Sequence, residues 1–118
     1  MNHLSFDFYQ NQAKKFAIFK ENLSDDNNVI YPVLGLVSES GEVADKIKKI
    51  MRDTNIPLRS LSAEIKLEVS KELGDCLWYI AVIADILDFD LSEVAEGNLD
   101  KLSSRRNRSK LKGSGDNR

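Results

Sequence analysis

An all-α fold is predicted by two long stretches of the chain, residues 31–53 and 61–88, in which apolar side chains recur at the three- and four-residue spacing of a helix face. Shorter stretches with this spacing lie within residues 1–24 and after residue 90. The sequence contains no internal repeat and no linker that would separate two domains. We therefore expect a single all-helical domain over residues 1–118.

The N-terminal helix is indicated by Phe8, Ala13 and Phe16, which fall near helical spacing. The neighbouring patch Phe8-Tyr9-Gln10 is more aromatic than a helix surface requires. One interpretation is core packing, which is the commoner use of aromatic side chains. The other is that Tyr9 or Gln10 contacts a flat ligand.

The first long helix begins beside Pro32, a residue that the first turn of a helix tolerates. Gly35 and Gly41 each cost roughly 1 kcal/mol relative to alanine in a helix interior. Glycine at such positions is typical of close packing or of close approach by a ligand. We expect a buried stripe that consists of Val33, Leu36, Val37, Ser40, Ala44, Ile47 and Met51.

The second long helix is polar in its first half and almost wholly apolar from Leu77 to Leu87, so this end is expected to pack against another helix or a partner subunit. Asp90 and Glu93 form a capping-box arrangement that predicts the start of the last helix. We expect that helix to end at about Arg105. Residues 106–118 are then predicted to form a loop or a flexible tail.

Composition limits the possible function classes. Hydrophobic residues make up 42% of the chain and concentrate in two helices whose apolar faces a small domain cannot cover alone, so we expect a homo-oligomer. The net charge of −2 argues against a general polyanion binder, although residues 105–118 hold six basic residues and one acid. Cys76 is a single cysteine and cannot form an intrachain disulfide. With no signal pattern and no apolar run that could span a bilayer, we expect a cytoplasmic protein without a membrane partner.

Two pairs of acids carry the main functional prediction, Glu39 with Glu42 on the first long helix and Glu72 with Asp75 on the second. Residues three apart share one face of a helix, so each pair presents two carboxylates in one direction. If the two helices pack together, four carboxylates converge, and their mutual repulsion requires cations. Ligands that are all oxygen suit Mg²⁺, with Mn²⁺ as a substitute.

Other metal and nucleotide chemistries fit the sequence less well. A di-iron bundle needs Glu-x-x-His motifs, and His3 is the only histidine. A zinc site needs more cysteine or histidine than the chain contains. Neither a Walker loop nor a dinucleotide fingerprint is present. The sequence therefore favours hard-cation chemistry, which typically acts on phosphates.

The spacing Glu39-x-x-Glu42 followed by Glu72-x-x-Asp75 resembles that of the MazG-type nucleotide pyrophosphohydrolases, which belong to the all-α nucleoside triphosphate pyrophosphatase superfamily. The stretches YPVLGLVSESGEVADKIKK and KELGDCLWYIA look like the two metal-binding helices of that family, and the ending GSGDNR is similar to the C-termini of its short members. The resemblance covers nearly the whole chain. It implies a bundle-like fold of four helices that is completed in a homodimer or homotetramer. One departure is Ser38, where many members carry an acid, and this changes a contact around the metal or the number of metals bound.

The resemblance also implies a reaction. The expected activity is Mg²⁺-dependent hydrolysis of a nucleoside triphosphate or its deoxy form between the α and β phosphates, which yields a monophosphate and pyrophosphate. The two acid pairs would hold the metal and carry catalysis, because bound metal neutralises the triphosphate and lowers the pKa of a bound water. Either Glu39 or Glu42 would orient or deprotonate that water, and we assign this role to Glu39.

Substrate contacts follow from the same resemblance, since Asn98, Lys101 and Arg105 match the asparagine–lysine–arginine segment of the family. Lys101, with Arg105 or Arg108, is expected to bind phosphate oxygens through charge. Asn98 and Tyr79 are expected to donate hydrogen bonds to the phosphates. Selection of the base or sugar is assigned to the N-terminal aromatic segment and its surroundings, represented by Tyr9, Gln10 and Tyr31.

Two alternatives stay open. Enzymes that act on dUTP, dCTP or phosphoribosyl-ATP share the acid pairs, so the same fold could use another nucleotide. The second alternative is a non-enzymatic helical module whose basic tail, KLSSRRNRSKLK, binds nucleic acid. The rest of the chain is acidic and the acid pairs would then lack a purpose, so nucleic acid is not the expected partner.

Overall fold

The computed structural model describes residues 3–24 and 27–117, and within these ranges the chain is helical without a β-strand, as predicted. The helices are, in chain order, α1 (Phe6–Ala13), α2 (Ile30–Thr54), α3 (Ala63–Ile86) and α4 (Leu91–Asn107). Short 3₁₀ turns lie in the connections, at Lys14–Phe16, Ile18–Glu21 and Leu58–Ser60. The two ends of the predicted domain, residues 1 and 118, lie outside the described residues.

Helix α1 is shorter than the apolar pattern of the N-terminal segment suggests. Its N-cap is Ser5, whose hydroxyl oxygen accepts a hydrogen bond from the Phe8 amide at 3.1 Å. The helix ends at Ala13, and a 3₁₀ turn follows. Phe8 and Phe16 are exposed, whereas Phe19 is buried. For the patch Phe8-Tyr9-Gln10, the core-packing interpretation is therefore wrong for Phe8 in the single chain, whereas Tyr9 packs against the buried core and Gln10 is buried.

Helices α2 and α3 pack side by side and form the longest part of the molecule. Pro32 is buried in the first turn of α2, and Asn55 ends this helix in a left-handed conformation with a φ of 49°. The Ser62 hydroxyl oxygen accepts a hydrogen bond from the Ile65 amide at 3.3 Å and caps α3. Both helices match the predicted spans to within two residues at each end. No helix in the described part of the chain is long and apolar enough to cross a membrane.

A small apolar core lies where α1 and the following turns meet the second half of α3. Trp78 packs against both halves of this core, and its indole nitrogen Nε1 donates a hydrogen bond to the Ala13 carbonyl at 3.0 Å. This contact joins the end of α1 to α3 at a position three residues after Asp75. The buried residues of the two halves are Ala13, Ala81 and Leu91, and Ala17, Phe19 and Val82.

The start of α4 is held by α1 rather than by its own capping box. Asp90 occupies the N-cap position, but its side chain makes no capping hydrogen bond. The amide of Leu91 instead donates to the side-chain oxygen Oε1 of Gln10 at 3.0 Å, and the amide of Ser92 donates to Asp7 Oδ1 at 3.3 Å. The predicted position of the cap was correct, but the predicted bonding was wrong, because side chains from another helix satisfy these amides. Helix α4 continues to Asn107, two residues beyond the expected end.

The apolar stripe expected to be buried on α2 is largely uncovered in the single chain. Val33, Val37 and Met51 are 43%, 68% and 63% exposed, so the expectation is wrong for one chain by itself. The Cα radius of gyration is 17.3 Å, whereas a compact domain of this length has a radius of about 13.5 Å. The chain is therefore too extended to bury the apolar faces of its two longest helices.

Candidate metal centre

Three of the four predicted metal ligands meet where α2 and α3 face each other. Oxygen atoms of Glu39 on α2 and of Glu72 and Asp75 on α3 lie within 4.8 Å of one another. Glu39 and Glu72 are half-buried and Asp75 is exposed. Glu42, one turn beyond Glu39, is exposed and lies outside this group in the described structure. The i,i+3 spacing on α3 thus places both of its acids at the centre, whereas on α2 it places one.

The pKa of Glu39 reflects both its partial burial and the charges of the neighbouring acids. Partial burial raises the pKa of the Glu39 carboxyl above its usual range, and the negative charges of Asp75, Glu72 and Glu42 and a hydrogen bond with Glu72 raise this pKa further. Lys46, two turns along α2, places its ammonium nitrogen 3.2 Å from Glu72 Oε1. One lysine balances only part of the charge of three carboxylates, so the cluster retains an excess of negative charge.

The donor atoms in this cluster fit a hard divalent cation. They are all carboxylate oxygens, which Mg²⁺ and Mn²⁺ prefer. Cys76, the next residue after Asp75, does not join them, because its sulfur lies 3.7 Å from the Ser40 hydroxyl across the contact between α2 and α3. A soft ligand is therefore absent from the three-acid group, and a divalent cation would relieve the repulsion that raises the Glu39 pKa.

Tyr79 borders the cluster one turn after Asp75, and its ring lies directly against Gly35 of α2. A Cβ atom at residue 35 would lie 2.8 Å from the ring carbon Cδ1 and closer still to Cε1 and Cζ. Burial raises the pKa of the Tyr79 hydroxyl, and the nearby Tyr31, Glu39 and Asp75 raise it further. Gly35 therefore supplies the space that lets the phenol approach the acids, whereas Gly41 has no neighbour that would obstruct a Cβ.

Tyr9 and Tyr31 have different relations to the acids. Tyr9 on α1 is half-buried, and burial and then the charge of Asp75 raise the pKa of its hydroxyl. Tyr31 is exposed and stacks on Phe19, with ring centroids 4.5 Å apart and an interplanar angle of 24°, and it contributes to the raised pKa of Tyr79. The predicted substrate contacts of both tyrosines stay predictions.

Gln10 has contacts of a different kind. Its side chain is buried, and its amide nitrogen donates to the carbonyl oxygens of Ala81 at 3.3 Å and Phe89 at 2.9 Å. Its oxygen accepts the Leu91 amide described above. These three hydrogen bonds join α1 to the turn between α3 and α4, and they give Gln10 a structural role. The hypothesis that Gln10 contacts substrate stays an untested prediction.

The four predicted substrate residues on α4 and at its C-cap differ in exposure and in partners. Asn98 is exposed, and so is Arg108, whose Nε donates a hydrogen bond to the Ser104 hydroxyl at 3.2 Å. Lys101 is half-buried and lies 3.3 Å from Asp116 Oδ1. Arg105 is buried, and its guanidinium also faces Asp116, at 3.1 Å. Two of the predicted phosphate-binding cations thus share one carboxylate from the last residues of the described chain.

The sequence analysis did not assign two residues, Lys46 and Asp116, to these sites. Lys46 lies seven residues after Glu39, which is two turns along the same helix face, and this spacing could have indicated its proximity to the acids. Asp116 could not have been found in this way. It is fifteen residues from Lys101, and its position depends on a turn formed by the residues after α4.

An all-helical domain that gathers carboxylates from two adjacent helices offers the ligands that a hard divalent cation needs, and sites of this class are suited to phosphate chemistry. The family follows from comparison with known proteins. The chain belongs to the MazG nucleotide pyrophosphohydrolase domain family, whose family model matches residues 32–109. The match contains all four predicted acidic ligands and confirms the resemblance inferred from the sequence.

Two similar proteins extend this comparison. The chain is 42% identical over 114 residues to the Gene 37 protein of Mycobacterium phage L5, covering 95% of this chain and 97% of that protein. It is 35% identical over 72 residues to the uncharacterized protein YvdC of Bacillus subtilis strain 168, covering 59% of this chain and 68% of that protein. Neither name states an activity. No solved structure matches the chain significantly.

Proposed function

We propose that this protein is a Mg²⁺-dependent nucleotide pyrophosphohydrolase that cleaves nucleoside or deoxynucleoside triphosphates between the α and β phosphates. The observation that carries the proposal is the approach of Glu39, Glu72 and Asp75 to within 4.8 Å in a chain of the MazG family. The products are a nucleoside monophosphate and pyrophosphate.

The acids have distinct roles in this proposal. Glu72 and Asp75 on α3 and Glu39 on α2 would hold Mg²⁺, and Glu39 would also orient the attacking water. Glu42, whose side chain is exposed one turn beyond Glu39, would be the fourth ligand. When bound, Mg²⁺ supplies the positive charge that neutralises the triphosphate and makes a water easier to deprotonate.

Substrate recognition draws on residues around the acids and on α4. The Tyr79 hydroxyl, which Gly35 allows to approach the acids, donates a hydrogen bond to a phosphate oxygen. Lys101 contributes positive charge to the phosphates, and Asn98, three residues earlier on α4, donates to them. The remaining predicted contacts are those of Tyr9 and Tyr31 with the base or sugar and of Arg108 with phosphate.

We also propose that the protein acts as a homodimer or homotetramer. The exposed apolar residues of α2 and α3 support this assembly, because a second copy would remove them from water. Helices from two copies would then complete one bundle.

The test is an assay of the purified protein with each common NTP and dNTP plus Mg²⁺, in which pyrophosphate and orthophosphate are measured separately. We expect pyrophosphate release that needs Mg²⁺ or Mn²⁺. Glu72→Gln should lower the rate by at least about a hundredfold, since even residues that only support metal ligands contribute 10–100-fold. The substrate panel, extended to phosphoribosyl-ATP, identifies the preferred nucleotide.

Glu96→Gln is the matched control, because Glu96 is an exposed glutamate on α4. It should keep the wild-type rate and the wild-type calorimetric affinity for Mg²⁺. Orthophosphate as the product would contradict cleavage between the α and β phosphates. A folded protein that binds no Mg²⁺ and cleaves no nucleotide would contradict the metal centre and favour the nucleic-acid-binding alternative.

A further inference from the structure

The residues after α4 turn back onto this helix in a defined conformation. Gly113 and Gly115 have φ values of 104° and 83°, a region that side chains other than glycine rarely adopt. The two glycines reverse the chain direction, so that residues 113–117, here called the return loop, lie beside Arg105 and Lys101. The loop falls outside the residues that match the family model.

Arg105 fastens the return loop to α4. Its side chain is 6% exposed, and its nitrogen Nη2 donates to the carbonyl oxygens of Gly115 at 3.2 Å and Asp116 at 3.0 Å and to Asp116 Oδ1 at 3.1 Å. A guanidinium that is buried under the loop in this way cannot reach a phosphate unless the loop leaves. Its Nε is buried without a hydrogen-bond partner among the described protein atoms, which is uncommon in proteins.

Asp116 forms ion pairs with both Arg105 and Lys101. The same oxygen, Oδ1, faces Arg105 Nη2 at 3.1 Å and the Lys101 ammonium at 3.3 Å. Hydrogen bonds from Lys101 and then Arg105 lower the pKa of the Asp116 carboxyl, which keeps it charged. Arg105 is thus fixed by burial, Asp116 is fixed by Arg105, and the partly exposed Lys101 is fixed by Asp116.

We propose that Arg105 and Asp116 are positioning residues that hold the Lys101 ammonium in place for a triphosphate, and that Arg105 does not itself contact substrate. This inference rests on the proposed function, in which Lys101 binds phosphate. The return loop then belongs to the substrate site although it contributes no ligand atom to the phosphates.

The bonding capacity of lysine agrees with this arrangement. An ammonium group has three N–H donors, and Asp116 takes one, so two remain for phosphate oxygens. A lysine side chain loses conformational entropy when it is fixed, and a lysine that is already held by Asp116 avoids part of that loss on binding. Orientation by a neighbouring carboxylate therefore favours binding even though the carboxylate is itself an anion.

The opposite possibility is that Asp116 competes with phosphate for Lys101. Its side chain is 82% exposed, and ion pairs at such positions are weak enough for a polyphosphate to displace. The two possibilities differ in sign, because removal of the charge weakens triphosphate binding if Asp116 positions Lys101 and strengthens it if Asp116 competes.

The experiment measures binding of inorganic triphosphate with Mg²⁺ to the full chain by calorimetry, in a double-mutant cycle of Lys101→Gln and Asp116→Asn. We expect Lys101→Gln to weaken binding at least about tenfold, as loss of a charge-assisted contact does. Asp116→Asn should weaken it about three- to tenfold, and Asp116→Glu should restore part of the loss. In the Lys101→Gln background, Asp116→Asn should have no further effect.

Two more variants separate positioning from general damage to the fold. Arg105→Lys should weaken triphosphate binding as Asp116→Asn does and should accelerate hydrogen exchange of the return-loop amides. Asp100→Asn removes an exposed acid next to Lys101 in sequence and should not weaken binding. Both should unfold within a few degrees of the wild-type temperature.

Several outcomes would overturn the inference. These are tighter binding by Asp116→Asn, an undiminished effect of Asp116→Asn in the Lys101→Gln background, and no binding of triphosphate by the wild type. The proposed function fails separately, if the wild type shows this binding pattern but releases no pyrophosphate from any nucleotide. Nucleotide cleavage with additive effects of Lys101→Gln and Asp116→Asn would preserve the function and refute the positioning role.

Discussion

Gly35 has no side chain, and this allows the Tyr79 ring to pack directly against α2 beside the candidate metal centre. The residue belongs to the interior of α2, where glycine is costly relative to alanine by roughly 1 kcal/mol. The cost is offset because the Tyr79 ring occupies the space that a Cβ would need. Gly41, six residues later on the same helix, has open space at its Cβ position.

We predict that Gly35→Ala and Gly41→Ala have opposite effects on stability. Gly35→Ala forces the Tyr79 ring or the α2 backbone to move and should lower the free energy of unfolding by about 1–3 kcal/mol, the usual range for overpacking. It should also impair catalysis through Tyr79. Gly41→Ala, the matched control, should raise the free energy of unfolding by up to about 1 kcal/mol. Chemical denaturation measures both values, and a stabilised Gly35→Ala variant would contradict the close contact.

At the scale of whole helices, Gln10 makes most of the side-chain hydrogen bonds that hold α1 against α4 and the end of α3, and Asp7 adds one more. Gln10 uses both ends of its amide to bond the backbone of Ala81, Phe89 and Leu91, and it thereby replaces the capping box that the sequence of α4 suggests. Because an amide can donate and accept at once, glutamine satisfies two carbonyl oxygens and one N–H in the same place. The short helix α1 is held against the rest of the fold in this way.

We predict that Gln10→Ala destabilises the protein by about 3 kcal/mol, because buried backbone groups lose their partners and each costs about 1–3 kcal/mol. Gln12→Ala is the control, since Gln12 is two residues away and bonds the exposed Lys15 ammonium. That change should alter the free energy of unfolding by no more than about 0.5 kcal/mol. Equal effects of the two substitutions in urea denaturation would refute the structural role of Gln10.

At the scale of the whole molecule, the single chain leaves large apolar side chains exposed on its two longest helices. Leu34 on α2 and Leu67 on α3 are 64% and 58% exposed, although both lie on the longest helices of the fold. Large exposed apolar surfaces typically mark an interface between proteins. The radius of gyration of 17.3 Å is also larger than that of a compact domain of this length.

We predict that light scattering will give a solution mass that is two or four times the chain mass of 13.3 kDa. Leu34→Glu and Leu67→Glu should each shift the protein toward smaller species, since burial of a charge at the interface is costly. Phe16→Glu, at a 70% exposed position outside α2 and α3, is the control and should leave the mass unchanged. A wild-type protein that is monomeric at high concentration would contradict the assembly.

The sequence by itself determined the all-helical class, the limits of α2 and α3 to within two residues, and the family. The helical class and the helix limits follow from local periodicity, which holds wherever the helix lies in space. The family follows from the resemblance of the acid motifs and of the stretches around them. The i,i+3 pair on α3 is the clearest case, because Glu72 and Asp75 needed only a helix to share one face.

Only the tertiary structure decided which side chains meet. It placed Glu39 in the acid cluster and Glu42 outside it, gave Gln10 a structural role between α1 and α4, and brought Asp116 to Lys101 and Arg105. It also left the α2 stripe exposed where the pattern suggested burial. Arg118, at the end of the motif GSGDNR, lies outside the described residues. The physical reason is that helical periodicity defines a face, whereas the partner of that face depends on helix packing, turn conformation and side-chain rotamers far apart in sequence.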